Sequence, residues 1–177
     1  AIYKTTNQGT NWIALNTPFG MNYDDMSIIN EDTMWVVDNN SFDGGVFRTT
    51  NGGLNWTNQY FNSSGNPDKI YMINGSIGFM GALFKTTNSG LNWFQVDVTS
   101  MGNMYFKDTI TGWRANGSMK KTTNGGLNWV NQTLPSGGVI SVSSVIDLSV
   151  INDDTIWAVG SRTSNRGLIF KTTNGGV

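Results

Sequence analysis

The sequence contains no cysteine and no histidine. The first absence excludes a disulfide framework and a thiolate-held metal. The second removes the commonest general base and the commonest zinc ligand. Glutamate occurs once, at Glu31, and charged residues are only 13% of the 177, about half the usual share. With a net charge of −1 and neither a basic block nor an acidic tail, nothing in the chain suits nucleic acid or anionic lipid. No apolar run approaches the roughly 18 residues of a membrane-spanning helix, so membrane insertion is not expected. No signal-peptide pattern is visible, and any leader is expected to have been removed or to lie upstream. What the chain does have is 38% apolar and 12% aromatic residues, enough to bury a core, together with 22 glycines and abundant Asn, Thr and Ser. Turn-forming residues in such excess point to many short strands joined by tight loops.

Self-similarity organises the sequence. Five copies of one motif occur: residues 2–12 (IYKTTNQGTNW), 46–56 (VFRTTNGGLNW), 83–93 (LFKTTNSGLNW), 119–129 (MKKTTNGGLNW) and 169–177 (IFKTTNGGV). The basic residue recurs at Lys4, Arg48, Lys85, Lys121 and Lys171, at successive spacings of 44, 37, 36 and 50 residues. That period suits a four-stranded propeller blade and is too irregular for a helical solenoid. A weaker motif alternates with the first: residues 28–37 (IINEDTMWVV), 106–115 (FKDTITGWRA), 150–159 (VINDDTIWAV) and a diverged copy at 72–81 (MINGSIGFMG). Each is an apolar strand, a polar turn and a strand carrying Trp35, Trp113, Trp157 or Phe79.

A blade therefore reads as four strands. The first is expected at residues 26–29, 69–73, 103–106 and 147–151. The second carries the aromatic residue just named, the third is the K/R-T-T strand, and the fourth starts at the closing Trp. No segment has a sustained helical period with caps, so almost no helix is expected. The fold expected is all-β: one propeller region over 1–177, with blade repeats at about 1–18 (partial), 19–61, 62–98, 99–134 and 135–177 (partial).

The residues of the main motif have a physical logic. The loop reverses the chain between the third and fourth strands. Asn accepts hydrogen bonds from nearby backbone N–H groups and tolerates positive φ. Gly adopts conformations closed to other residues. Trp covers the hairpin base, and its N–H needs a partner. The T-x-N-x-G-x-N-W core resembles the Asp-box, S-x-D-x-G-x-T-W, shared by sialidases, sortilin-like receptors, xyloglucan-degrading hydrolases and the photosystem II assembly factor family. Thr49 takes the Ser place, Asn51 the Asp, Gly53 the Gly, Asn55 the Thr and Trp56 the Trp. The same positions are held by Thr5, Asn7, Gly9, Asn11 and Trp12, by Thr86, Asn88, Gly90, Asn92 and Trp93, and by Thr122, Asn124, Gly126, Asn128 and Trp129. The last copy keeps Thr172, Asn174 and Gly176. Asn replaces the family's Asp throughout; this weakens the cap, because a charged acceptor bonds more strongly, but the turn geometry is expected to survive. The second motif is most similar to the photosystem assembly factor branch and its bacterial relatives.

Most residues that invite a functional reading have a structural one. The Trp residues recur at fixed repeat positions, which favours packing over a glycan-stacking platform. The basic residues are expected to snorkel or to pair with Asp32, Asp108 or Asp154. The resemblance to sialidases would require an arginine cluster and a Tyr/Glu pair; Arg48, Arg114, Arg162 and Arg166 with Glu31 do not carry that constellation. Asp24, Asp25, Asp43 and Asp68 lie outside the strict repeats without a motif, so hydrolysis by paired carboxylates has little support. The pair Asp153–Asp154 reads as a turn, no metal loop is present, and no cofactor is expected. N-x-S/T sequons at Asn39, Asn62, Asn116 and Asn131 suit surface loops. The non-repeat segments 39–45, 62–68, 135–145 and 161–167 are where a binding surface would be sought.

The third strand occurs five times and the others four times each. This uneven count leads to the expectation of an incomplete arc of about four to five blades, a piece of a longer array. Its edge strands would be covered by further blades, by self-association or by a partner. The function expected is a non-catalytic bacterial scaffold, extracellular, cell-surface or periplasmic, that binds a protein or a glycan. The alternatives are a glycoside hydrolase with catalytic residues largely outside this segment and an assembly factor for a membrane complex.

Overall fold

The computed structural model describes residues 1–17, 22–39, 45–60, 67–135, 142–162 and 166–176. Asp43, Asn62, Val177 and most of the candidate loops 39–45 and 62–68 lie outside these residues. The chain divides into two compact units, Ala1–Thr99 and Ser100–Val177. Among the described residues there is no helix.

In the first unit β1 (Tyr3–Lys4) and β2 (Ile13–Ala14) form a hairpin. Strands β3 (Tyr23–Ile28), β4 (Met34–Asp38), β5 (Gly45–Thr49) and β6 (Thr57–Tyr60) make an antiparallel meander, as do β7 (Ile70–Met72), β8 (Gly78–Met80), β9 (Phe84–Thr86) and β10 (Phe94–Gln95). In the second unit β11 (Asn103–Phe106), β12 (Gly112–Asn116), β13 (Ser118–Thr122) and β14 (Val130–Asn131) form a third four-stranded sheet. A fourth sheet has three strands, β15 (Val142–Val150), β16 (Ile156–Arg162) and β17 (Arg166–Thr172).

Within each unit successive sheets pack face to face. Trp35, Val37 and Val46 on one face of the β3–β6 sheet meet Ile70, Met72 and Met80 of the next sheet. Val36 and Phe47, on the opposite face, meet Ile2 of the β1–β2 hairpin. In the second unit Trp113, Ala115 and Met119 meet Val145, Ile156 and Ala158. The second strand of a sheet is thus covered on both sides, which is why residues 34–37 read as a continuous apolar run rather than an alternation.

The weaker motif is a capped turn. Asn30 Oδ1 accepts from the N–H groups of Asp32 (3.0 Å) and Thr33 (2.7 Å), and Asn74 does the same for Ser76 and Ile77. Asp108 caps Ile110 and Thr111, and Asn152 caps Asp154 and Thr155. Asp153–Asp154 is accordingly a turn.

Two boundaries differ from the sequence reading. The first strand of the last sheet was expected at 147–151 but spans Val142–Val150, so the end of the 135–145 segment is strand. Register shifts between Val142 and Ser144 and between Val145 and Asp147 let pairing continue through a stretch without regular alternation. Likewise Ser161, Arg162, Arg166 and Gly167 of the 161–167 loop belong to β16 and β17, with Arg162 opposite Arg166. The β3 strand begins at Tyr23, three residues before the expected start.

Candidate interaction surface

The main motif closes each hairpin with one hydrogen-bond network. The Thr49 hydroxyl donates to Asn51 Oδ1 (2.9 Å) and accepts from the N–H groups of Asn51 (3.3 Å) and Gly53 (3.0 Å); Asn51 Oδ1 accepts in turn from Asn55 N–H (2.9 Å). Thr5, Asn7, Gly9 and Asn11 repeat it. So do Thr86, Asn88, Gly90 and Asn92, and Thr122, Asn124, Gly126 and Asn128. In the last copy Thr172 bonds Asn174 and accepts from Gly176 N–H (3.0 Å). A neutral amide therefore closes the loop, because the threonine hydroxyl supplies the second acceptor. Both residues of the central pair have positive φ: 68° and 88° at Gly52 and Gly53, but 64° at Ser89, where a side chain tolerates the strain.

The first residue of that pair is a staple that the sequence did not reveal. Its N–H donates to the capped turn of its own sheet, as in Gly52 to the Asp32 carbonyl (3.0 Å) and Gly175 to Asp154 (2.8 Å). Its carbonyl faces the preceding sheet. Trp35 Nε1 donates to the Ser89 carbonyl (3.2 Å) and to Gln59 Oε1 (2.9 Å), and Trp113 Nε1 reaches the Gly175 carbonyl (3.4 Å).

The basic residues do not pair with Asp32, Asp108 or Asp154, contrary to one of the two expectations. Cross-strand register places each opposite the aromatic of the second strand: Arg48 with Trp35, Lys85 with Phe79, Lys121 with Trp113 and Lys171 with Trp157. The cation then lies over the ring, at 5.1, 5.7, 5.1 and 5.6 Å from the centroid. A desolvated cation gains more from the ring face than from a carboxylate it must cross solvent to reach. Burial also holds the Lys85 ammonium below its ordinary pKa. Lys4 instead donates to the Glu31 carbonyl (3.3 Å). The ion pair among the described residues is Lys107–Asp153, between the capped turns of the two sheets in the second unit.

The closing tryptophans also depart from expectation. Trp12 is 59% exposed. The indole N–H groups of Trp56, Trp93 and Trp129 are buried without a hydrogen-bond acceptor among the described residues, because each ring packs by its faces. Trp129 illustrates this: Arg114 lies 5.0 Å above its centroid and Phe106 meets it edge-to-face at 5.8 Å.

Candidate catalytic groups are spent on structure. Asp24 accepts from Asn39 N–H (2.7 Å), and Asp25 accepts from Met26 (2.9 Å) and Ile70 (3.0 Å). Arg48 and Arg114 stack on different tryptophans, and Arg114 donates to the Ser100 carbonyl (3.4 Å). No group of three or more metal-ligating side chains occurs among the described residues.

What stays open lies in the second unit. A cleft of about 360 Å³ runs beside β17, with Met119, Leu134, Ile156, Ala158 and Phe170 as its apolar lining and Thr172 to Asn174 at its rim. Ile169 of β17 is 72% exposed. Among the described residues β17 pairs only with β16, so its other edge presents free backbone groups.

No protein-family model matches the sequence, and a search of curated proteins finds no match. Solved structures do match. The chain is similar to a GH74 enzyme of Niastella koreensis, with a TM-score of 0.64 and 16% identity over 88% of this chain and 29% of that one. It is similar to YCF48 bound to a D1 peptide, with a TM-score of 0.61 and 16% identity over 92% of this chain and 57% of the other. YCF48 from Cyanidioschyzon merolae gives a TM-score of 0.57 and 18% identity over 89% and 56%. The chain has the β-propeller fold. At these identities the likeness carries the fold alone. The chain spans less than a third of the GH74 chain and rather more than half of the two YCF48 chains.

Proposed function

We propose that this propeller is a non-catalytic scaffold that binds a protein or glycan partner, in a bacterial extracellular, cell-surface or periplasmic setting, and that its hairpins are Asp-boxes with Asn in the Asp place. The observation that carries this reading is the consumption of the repeated Thr, Asn and Lys/Arg side chains by intramolecular contacts, beside an open apolar cleft and a free strand edge. Such a surface suits recognition of an extended polypeptide better than bond cleavage. The similar YCF48 structure is of a protein bound to a D1 peptide, which favours the protein arm of the proposal. The chain's wealth of Asn, Thr and Ser and its lack of Cys support the setting.

The similarity to a GH74 enzyme gives the test its second arm. The chain is applied to peptide and glycan arrays and, separately, incubated with polysaccharides including xyloglucan while reducing ends are measured. Saturable binding with no new reducing ends is expected. Cleavage of any polysaccharide overturns the reading.

A further inference from the structure

The cleft beside β17 has filled counterparts in the same chain. Aligning the repeats places Met119 at the position of Ile2, Ala158 at that of Val36 and Phe170 at that of Phe47. In the first unit Ile2, Val36 and Phe47 form a buried cluster, and Trp56 packs against it. Trp56 is followed at once by β6, which runs along the edge of β5 with Thr57 opposite Arg48 and Asn58 opposite Phe47. In the second unit Met119, Ala158 and Phe170 line the open cleft instead.

The edge repeats in the same way. The strand equivalent to β17 carries a short antiparallel partner in every other sheet: Ile13 opposite Lys4, Phe94 opposite Lys85 and Val130 opposite Lys121, besides Thr57 opposite Arg48. Each partner directly follows an Asn-Trp pair. On β17 the matching position is Lys171, whose outer side bears no strand among the described residues.

Resting on the scaffold reading, we infer that this cleft and edge form a docking site for an extended polypeptide segment carrying Asn-Trp followed by two or more strand-forming residues. The indole fills the cleft over Met119, Ala158 and Phe170. The residues after it add to β17 as a fourth antiparallel strand. Specificity comes from the cleft, since main-chain pairing along an edge accepts most sequences. A cleft of about 360 Å³ is within the usual range of small binding pockets, roughly 300–1,000 Å³, and is ample for one indole.

The test uses the full chain and a labelled peptide of its own residues 53–60 (GLNWTNQY), followed by fluorescence anisotropy. Saturable one-to-one binding is expected. A peptide with Trp56→Ala should bind at least tenfold more weakly, and so should wild-type peptide to chain carrying Phe170→Ala. Because Phe170→Ala can compromise folding, hydrogen exchange on the wild-type chain gives an independent readout: the peptide should slow exchange at residues 169–171. Absence of saturable binding, equal affinity for the Trp56→Ala peptide, or unaltered exchange at 169–171 overturns the inference. Peptide failure with partners still bound on the arrays overturns the docking site and leaves the scaffold reading standing; a blank array with a bound peptide does the reverse.

Discussion

Replacing Thr49 by Val tests whether the repeated hydroxyl holds the fold. Thr49 is buried, and Val matches its shape, so packing changes little. The hydroxyl leaves Gly53 N–H, a buried donor at 3.0 Å, without its acceptor. Orphaning one buried donor costs about 1–3 kcal/mol. The longer bond from Asn51 N–H (3.3 Å) is only partly buried and adds less, so about 2 kcal/mol is expected in all. With a urea slope of about 2 kcal/mol per molar, the unfolding midpoint should fall by about 1 M. Thr5 carries the same bonds, but Thr5 is half-exposed and Gly9 N–H only partly buried, so water can replace the hydroxyl. Thr5→Val should cost less than about 1 kcal/mol. Thr49→Ser keeps the bonds and loses one methyl, about 0.8 kcal/mol. Equal midpoint shifts for Thr49→Val and Thr5→Val, or a Thr49→Val midpoint indistinguishable from wild type, would refute the argument.

Trp113 is fully buried and Trp157 is 43% exposed, so Trp113→Ala should cost about 3–5 kcal/mol and Trp157→Ala markedly less, read from urea midpoints. Gly90 has φ +86°, and an added Cβ would come within 2.4 Å of Gln59 Oε1, whereas Gly117 at φ +70° has open space around it. Gly90→Ala should therefore lower the melting temperature well beyond Gly117→Ala, whose cost is about 1 kcal/mol of backbone strain. Asp108 is held below the ordinary carboxylate pKa first by the Thr111 N–H and then by the Ile110 N–H. Its contribution is present above the unfolded value of about 3.9 and is lost as pH falls through the lowered folded value. Asp108→Asn should keep the cap, as Asn30, Asn74 and Asn152 do in the other sheets. It should also flatten the acid limb of a midpoint-against-pH curve; an unchanged limb would count against the assignment.

The legible features were those encoded within a few residues of one another. Thr49, Asn51 and Gly53 close their loop through bonds spanning two to four positions, so the motif alone determined the turn, the flanking strands and the all-β class. The aromatic at Trp35, Phe79, Trp113 and Trp157 was likewise placed on the second strand by its alternation with a polar turn. The open cleft was not legible, because its lining comes from three separate stretches, Met119, residues 133–135 and 156–176.

The sequence by itself determined the repeating unit, since its hydrogen bonds are local and its side-chain period fixes the strands. Only the tertiary structure decided what the repeated side chains do. Cross-strand register put Lys171 over Trp157 rather than beside Asp154. A neighbouring sheet buried Trp113, while its repeat mate Trp157 stayed half open. Burial and pairing across strands depend on residues distant in the chain, so identical motifs acquire different surroundings, and those surroundings separate a structural tryptophan from an exposed one.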